Sequence, residues 1–143
     1  MSSIPVNILT DYLIYLTRKV EEGSLINYPT LNLYSVGGID GGTIIASFKL
    51  PTPAFARPNE KLETYLLIPS NQSLSTIAIN NGTVKEYAIL NKNQQPVFYG
   101  AVGGPGTKGT KVGKLTVDIE MSSIIVKKET PLSITNYIIK LPL

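Results

Sequence analysis

The sequence has 143 residues, 43% hydrophobic and 16% charged, with neither cysteine nor histidine. A chain of that length fits one domain that folds without metal or disulfide staples, and the two missing residue types exclude thiolate chemistry and remove the commonest general base and metal ligand. Thirteen basic against ten acidic residues give a net charge of +3, but the lysines gather only at Lys108, Lys111 and Lys114 and at Lys127–Lys128, short of the basic stripe a nucleic-acid binder presents.

The first segment, 1–23, reads as a helix. Ser3 can cap it, Pro5 suits its first turn and Gly23 stops it. Ile8 or Leu9, Tyr12, Leu13, Leu16 and Val20 recur at spacings of three and four and predict one apolar stripe. Glu21 and Glu22 oppose the helix dipole at its C-terminal end, which predicts either fraying or a cationic partner.

From residue 31 onward the pattern turns to strands. Leu31–Val36 predicts a short strand, followed by the glycine turn 37–42. Thr43–Leu50 alternates, with Ile44, Ala46, Phe48 and Leu50 on one face and Ile45, Ser47 and Lys49 on the other. Pro51, Pro53 and Pro58 predict an irregular loop, since proline cannot donate to a ladder. Leu62–Ile68 is the next strand. Leu74–Ile79 and Thr83–Asn91 flank Asn80-Asn81-Gly82, which predicts a hairpin because Asn-Gly accepts positive φ. Lys92–Gln95 is a turn, Pro96–Val102 a strand, and Gly103–Gly113 a loose stretch rich in Gly, Thr and Lys. Leu115–Glu120, Ile124–Lys128 and Leu132–Leu141 close the chain. The whole predicts a single mostly-β domain over 1–143: an antiparallel sandwich or jelly roll of about eight strands in 31–143, with one N-terminal helix.

Several features resemble functional motifs. Gly104-Pro105-Gly106-Thr107-Lys108-Gly109 satisfies G-x-G-x-x-G, but the dinucleotide mechanism needs a helix N-terminus next, and a strand pattern comes instead. The segment reads as a flexible basic loop that a neighbouring subunit orders. Asp118 and Glu120 lie two apart, as catalytic carboxylates can, yet they read as an exposed polar face opposite Leu115, Val117 and Ile119. Asp40 has no second carboxylate near it, too few oxygen ligands for a calcium loop. Eight tyrosines are spread over nearly every element and read mostly as half-buried sheet positions. The apolar ending, Ile138 to Leu143, predicts a strand that is central or paired with another chain. No basic, apolar leader opens the sequence and no apolar run approaches a membrane span, so the expectation is a soluble, cytoplasmically made protein without membrane, nucleic-acid or cofactor partners.

The order of elements resembles a family of small tailed-bacteriophage proteins encoded among virion structural genes. The resemblance rests on Gly42-Thr43-Ile44-Ile45-Ala46-Ser47-Phe48-Lys49-Leu50-Pro51-Thr52-Pro53-Ala54-Phe55, on Lys85–Asn91, on Val97–Gly103 and on Leu132–Pro142. It spans about Asn7 to Pro142. The chain departs from the family pattern in carrying more Asn, Ile and Lys, and Glu129-Thr130-Pro131 where a glycine turn precedes the last strand. The resemblance brings no catalytic residues. It implies a non-enzymatic part of the virion: a capsid decoration or minor head protein, or else an accessory of the tail or neck. The partners expected are other virion proteins and copies of the same chain, with a trimer favoured and no small-molecule substrate. Gly103, Gly104, Pro105, Gly106, Thr107, Lys108, Gly109 and Lys111, with Tyr12 and Tyr15 of the helix, are the expected interface. The alternative is a module that binds a host glycan or receptor through exposed tyrosines.

Overall fold

In a computed structural model, residues 6–24, 27–55, 66–67, 73–135, 137 and 139–140 are described. Helix α1 (Val6–Glu21) precedes β1 (Thr30–Tyr34), a single helical turn α2 (Gly38–Gly41) and β2 (Ile44–Lys49). There follow β3 (Leu66–Leu67), β4 (Ser73–Ile77), β5 (Gly82–Thr83), β6 (Glu86–Leu90) and β7 (Pro96–Gly103). The chain continues through β8 (Lys111–Val112), β9 (Leu115–Glu120), β10 (Ile125–Val126), β11 (Pro131–Thr135) and β12 (Ile139–Lys140). The fold is mostly β with an N-terminal helix, as the alternation predicts. Most of the strand expected at 62–68, the helix cap at Ser3 and the last residues of the chain lie outside the described residues.

The main sheet has six strands in the order β2-β1-β6-β7-β9-β8. Strand β1 is central, which explains why both of its faces are buried. Leu31 and Leu33 point into the large core with Phe48, Tyr87 and Ile89. The other face holds Tyr34 with Ala88 and Leu90, covered by Ile39 of α2 and by Ile44. Asn32 sits among these apolar groups and is satisfied there. Its Nδ2 donates to the Tyr34 hydroxyl at 3.1 Å, and its Oδ1 accepts from the Ser47 hydroxyl at 2.6 Å. A buried amide with both ends engaged costs little.

Three two-stranded ladders, β4–β11, β5–β10 and β3–β12, lie outside this sheet. The first two supply Leu74, Val126 and Ile134 to the large core, and Ala78 and Val84 join it from the adjoining backbone. Helix α1 adds Leu16 and Val20. Tyr12 does not share the burial of these C-terminal turns: it is 48% exposed. Those turns are tied down firmly. The Lys92 amide donates to the Glu22 carbonyl at 3.0 Å, and the Ala54 amide donates to Glu21 Oε1 at 2.7 Å. The acidic end finds its cations in Lys19, 2.9 Å from Glu22, and Lys92, 3.9 Å from Glu21. Gly23 follows with φ +130°, and a Cβ there would meet the Asn93 amide at 2.8 Å, so only glycine lets the helix end lie against the β6–β7 turn.

Four expectations need correction. Asn80-Asn81-Gly82 makes no hairpin, since β4 pairs with β11 and β5 with β10. The asparagines are claimed by other segments: Asn80 Nδ2 donates to the Ile44 carbonyl at 2.8 Å, and Asn81 Oδ1 accepts from the Lys128 amide at 2.7 Å. The simple alternation of β2 is broken by a register shift at Leu33/Tyr34, where Leu33 pairs with Ala46 and Tyr34 with Ile44. Ile45 is the extra residue, so Ile45 and Ala46 are both buried in the large core while Ile44 serves the smaller cluster. The segment expected as one final strand is divided into β11, which pairs with β4, and β12, which pairs with β3. Finally, the sheet is not antiparallel throughout. Strands β7 and β9 run parallel, because the segment between them doubles back along the far side of β9 instead of closing a hairpin onto β7.

Candidate functional site: the basic arm and its carboxylates

Residues 104–110 form an arm at the β8 edge of the main sheet. The sequence predicts a loose loop here, and the structure shows an ordered one. Two successive turns build it: Thr107 donates its hydroxyl to the Gly104 carbonyl at 2.6 Å, and Thr110 donates its own to the Thr107 carbonyl at 2.6 Å. Gly109 and Thr110 then pair with Val117 at 2.9 Å in each direction, running into the β8–β9 hairpin. Gly106 has φ +82° and Gly109 φ +87°, conformations that glycine adopts without the Cβ penalty. Turn geometry thus accounts for the glycine pattern, and it leads into strand β8 instead of a helix.

Glu120 holds the arm from β9. Its Oε2 accepts from the Gly106 amide at 3.2 Å and its Oε1 from the Lys108 amide at 3.0 Å. Two backbone donors converging on one carboxylate make a small anion nest that the protein fills with its own side chain. Lys108, Lys111 and Lys114 are left exposed on the arm and hairpin. Gly103 belongs to β7 and is buried, and its carbonyl accepts from the Met121 amide at 2.9 Å. Of the ten residues expected at an interface, Pro105, Gly106, Lys108 and Gly109 are exposed on the arm and Lys111 next to it on β8, with Gly104 and Thr107 partly covered. Tyr12 and Tyr15 are exposed on α1, a separate element.

Asp118 corrects the sequence reading. It is buried, not on an exposed polar face, and accepts from the Tyr87 hydroxyl at 2.6 Å. The cause is a register shift between β7 and β9: Ala101 pairs with Val117 and Val102 with Ile119, which leaves Asp118 as an extra residue re-aimed inward. Tyr87 reaches it by crossing Gly100, its cross-strand partner on β7. A Cβ at Gly100 would lie 2.5 Å from Asp118 Oδ2 and 2.7 Å from the Tyr87 ring, so the brace requires glycine there. Burial, and next the Asp118 carboxylate, push the Tyr87 phenol well above its usual pKa. The two carboxylates therefore do different structural work, one bracing three strands and one seating the arm. No group of three or more potential metal ligands occurs among the described residues.

Between α1 and the β6–β7 hairpin lies a groove of about 310 Å³ lined by Tyr15, Lys19, Glu22, Gln95 and Val97, among others. The sequence offers no sign of it beyond Tyr15, because its far wall comes from a turn more than seventy residues away. No family model, curated protein or solved structure matches the chain.

Proposed function

We propose that the chain is a non-enzymatic structural component of a bacteriophage virion, a decoration or minor head protein on the capsid that acts through subunit interfaces. The observation that carries this reading is the arm: an ordered, lysine-bearing projection whose own carboxylate nest fixes its shape in advance of any contact. A segment ordered beforehand loses less entropy when a neighbour seats on it. The order of elements, which resembles the phage family, supports the virion setting. The use of Asp118 and Glu120 as a brace and an anchor supports a structural role over hydrolysis.

Deleting Thr107–Lys111 tests the reading. The fold persists, since the arm contributes little to the core, and incorporation into particles falls. Unchanged incorporation would remove the arm from the interface.

One observation favours a second reading, a host glycan-binding module. The groove beside α1 sets an exposed aromatic ring beside an ion pair and the Gln95 amide, groups that sugars stack on and hydrogen-bond to. Binding of the protein to host cells, lost in Tyr15→Ala, would favour it.

A further inference from the structure

Beyond the arm, the β8–β9 hairpin ends in a tight tip. Lys111 pairs with Thr116 and Val112 with Leu115, and Gly113-Lys114 closes the pair as a two-residue turn, with Gly113 at φ +63°. Cross-strand partners share a face, so Val112 and Leu115 lie together on one side of the hairpin. A surface turn is ordinarily polar. Here Val112 is 58% exposed, with Leu115 half-buried beside it. Lys111 and Lys114 are exposed before and after Val112 in the chain, and neither forms an ion pair among the described residues. Little nearby offsets them. No acidic residue occurs between Glu86 and Asp118; Asp118 is buried, and Glu120 already holds the amides of Gly106 and Lys108.

We infer that this tip docks on a different protein, at a patch where carboxylates surround an apolar spot that receives Val112. Charge rules out a second copy as the partner, because this chain presents no matching acidic patch among its described residues. Of its exposed carboxylates, Glu22 is paired with Lys19, Glu120 holds the arm, and Glu129 follows Lys127 and Lys128. Asp11 and Asp40 sit on separate elements, α1 and α2. Composition argues against nucleic acid. From Gly100 to Glu120 there is no aromatic ring for a base to stack on and no arginine fork to match a phosphate. Glu120 also stands in the middle of the arm, where it repels a phosphate backbone. An apolar centre with a charged rim is instead the plan of a protein interface. The tight turn and the pinned arm leave little order to be lost on docking. One valine and two lysines make a small contact, which gains strength when many copies meet one lattice. The inference rests on the structural-component reading and gives its partner a chemistry.

Titration of the isotope-labelled full chain, followed by nuclear magnetic resonance, tests it with three anionic probes. These are a random glutamate–tyrosine copolymer, polyglutamate, and duplex DNA of matched charge. The expected amide shifts centre on Val112, Gly113 and Lys114, with the copolymer bound tightest and every affinity falling as salt rises. Lys111→Glu with Lys114→Glu weakens the copolymer at least about tenfold. Val112→Ser weakens it about threefold and leaves polyglutamate unchanged. Circular dichroism is unchanged in both variants. DNA binding at least as tight as the copolymer at equal salt would overturn the inference in favour of nucleic acid. Shifts centred elsewhere, or Val112→Ser binding the copolymer as the parent does, would overturn it outright. Stripped phage capsids separate the inference from the reading beneath it. Capsids that bind the parent and both hairpin variants alike sink the inference and spare the virion reading. Copolymer binding at the tip without any capsid binding does the reverse.

Discussion

Tyr87, Gly100 and Asp118 show how much can rest on one missing methyl group. Gly100→Ala inserts a Cβ where the Asp118 carboxylate and the Tyr87 ring already lie. Neither neighbour is free to swing away, because both are buried and bonded to each other. The expected cost is about 2–4 kcal/mol, read from the denaturant midpoint at unchanged m-value; a loss under about 0.5 kcal/mol would show that the brace relaxes freely. Tyr137 makes the opposite case. Its hydroxyl is buried with no hydrogen-bond partner among the described residues, and burial pushes its pKa up to about 12. Tyr137→Phe should be neutral or stabilising by up to about 1 kcal/mol, because it removes a desolvated group that gains nothing in return. Both phenols also set an alkaline limit. Their folded pKa values are raised above the unfolded value near 10, so the protonated fold keeps its full stability below about pH 10 and loses it as pH rises toward the folded values. In an absorbance titration of tyrosinate, these two rings should ionise only together with unfolding. Smooth ionisation at pH 10 in a folded protein would contradict their burial.

At the scale of elements, the sequence is most readable where local pattern and tertiary need coincide. Strand β9 begins and ends where the alternation of Leu115–Glu120 says it should. The 92–95 turn is legible for the same reason: Asn91 Oδ1 accepts from the amides of Asn93 and Gln95 at 3.0 Å each, so the turn's chemistry is contained in neighbouring residues. Asn80-Asn81-Gly82 has equally good turn chemistry and fails as a hairpin. Its side chains answer to Ile44 and Lys128, 36 and 47 positions away in sequence, and no local rule contains those partners. The same limit hides Asp118, since a strand sequence does not announce which residue its neighbour will force out of register. The position of the arm is legible in its glycines and lysines, but its order is not, because that order comes from Glu120, ten or more residues later. Glu120→Ala should therefore speed hydrogen exchange at the Gly106 and Lys108 amides while changing global stability by less than about 1 kcal/mol. Equal exchange in both proteins would mean the turns hold the arm unaided.

At the scale of the whole molecule, surface use divides by charge. One edge of the main sheet ends in a very short strand bearing lysine, a device that discourages edge-to-edge pairing. The other edge, β2, is covered: the Ile79 amide donates to the Ile45 carbonyl at 2.8 Å. Neither edge is left as an open template, so under the proposed role assembly would fall to faces and projections such as the basic arm. Composition points towards this arrangement, since a chain with only 16% charged residues leaves apolar groups in contact with water unless a neighbour covers them. It does not say which face, because that depends on which alternate residues the core claims.

Co-sedimentation with phage capsids stripped of their accessory proteins tests the structural role most directly. The account predicts saturable binding at a fixed number of copies per capsid, weakened by added salt and by deletion of Thr107–Lys111. Protein that stays in the supernatant at every concentration, or that binds without saturating, would contradict it.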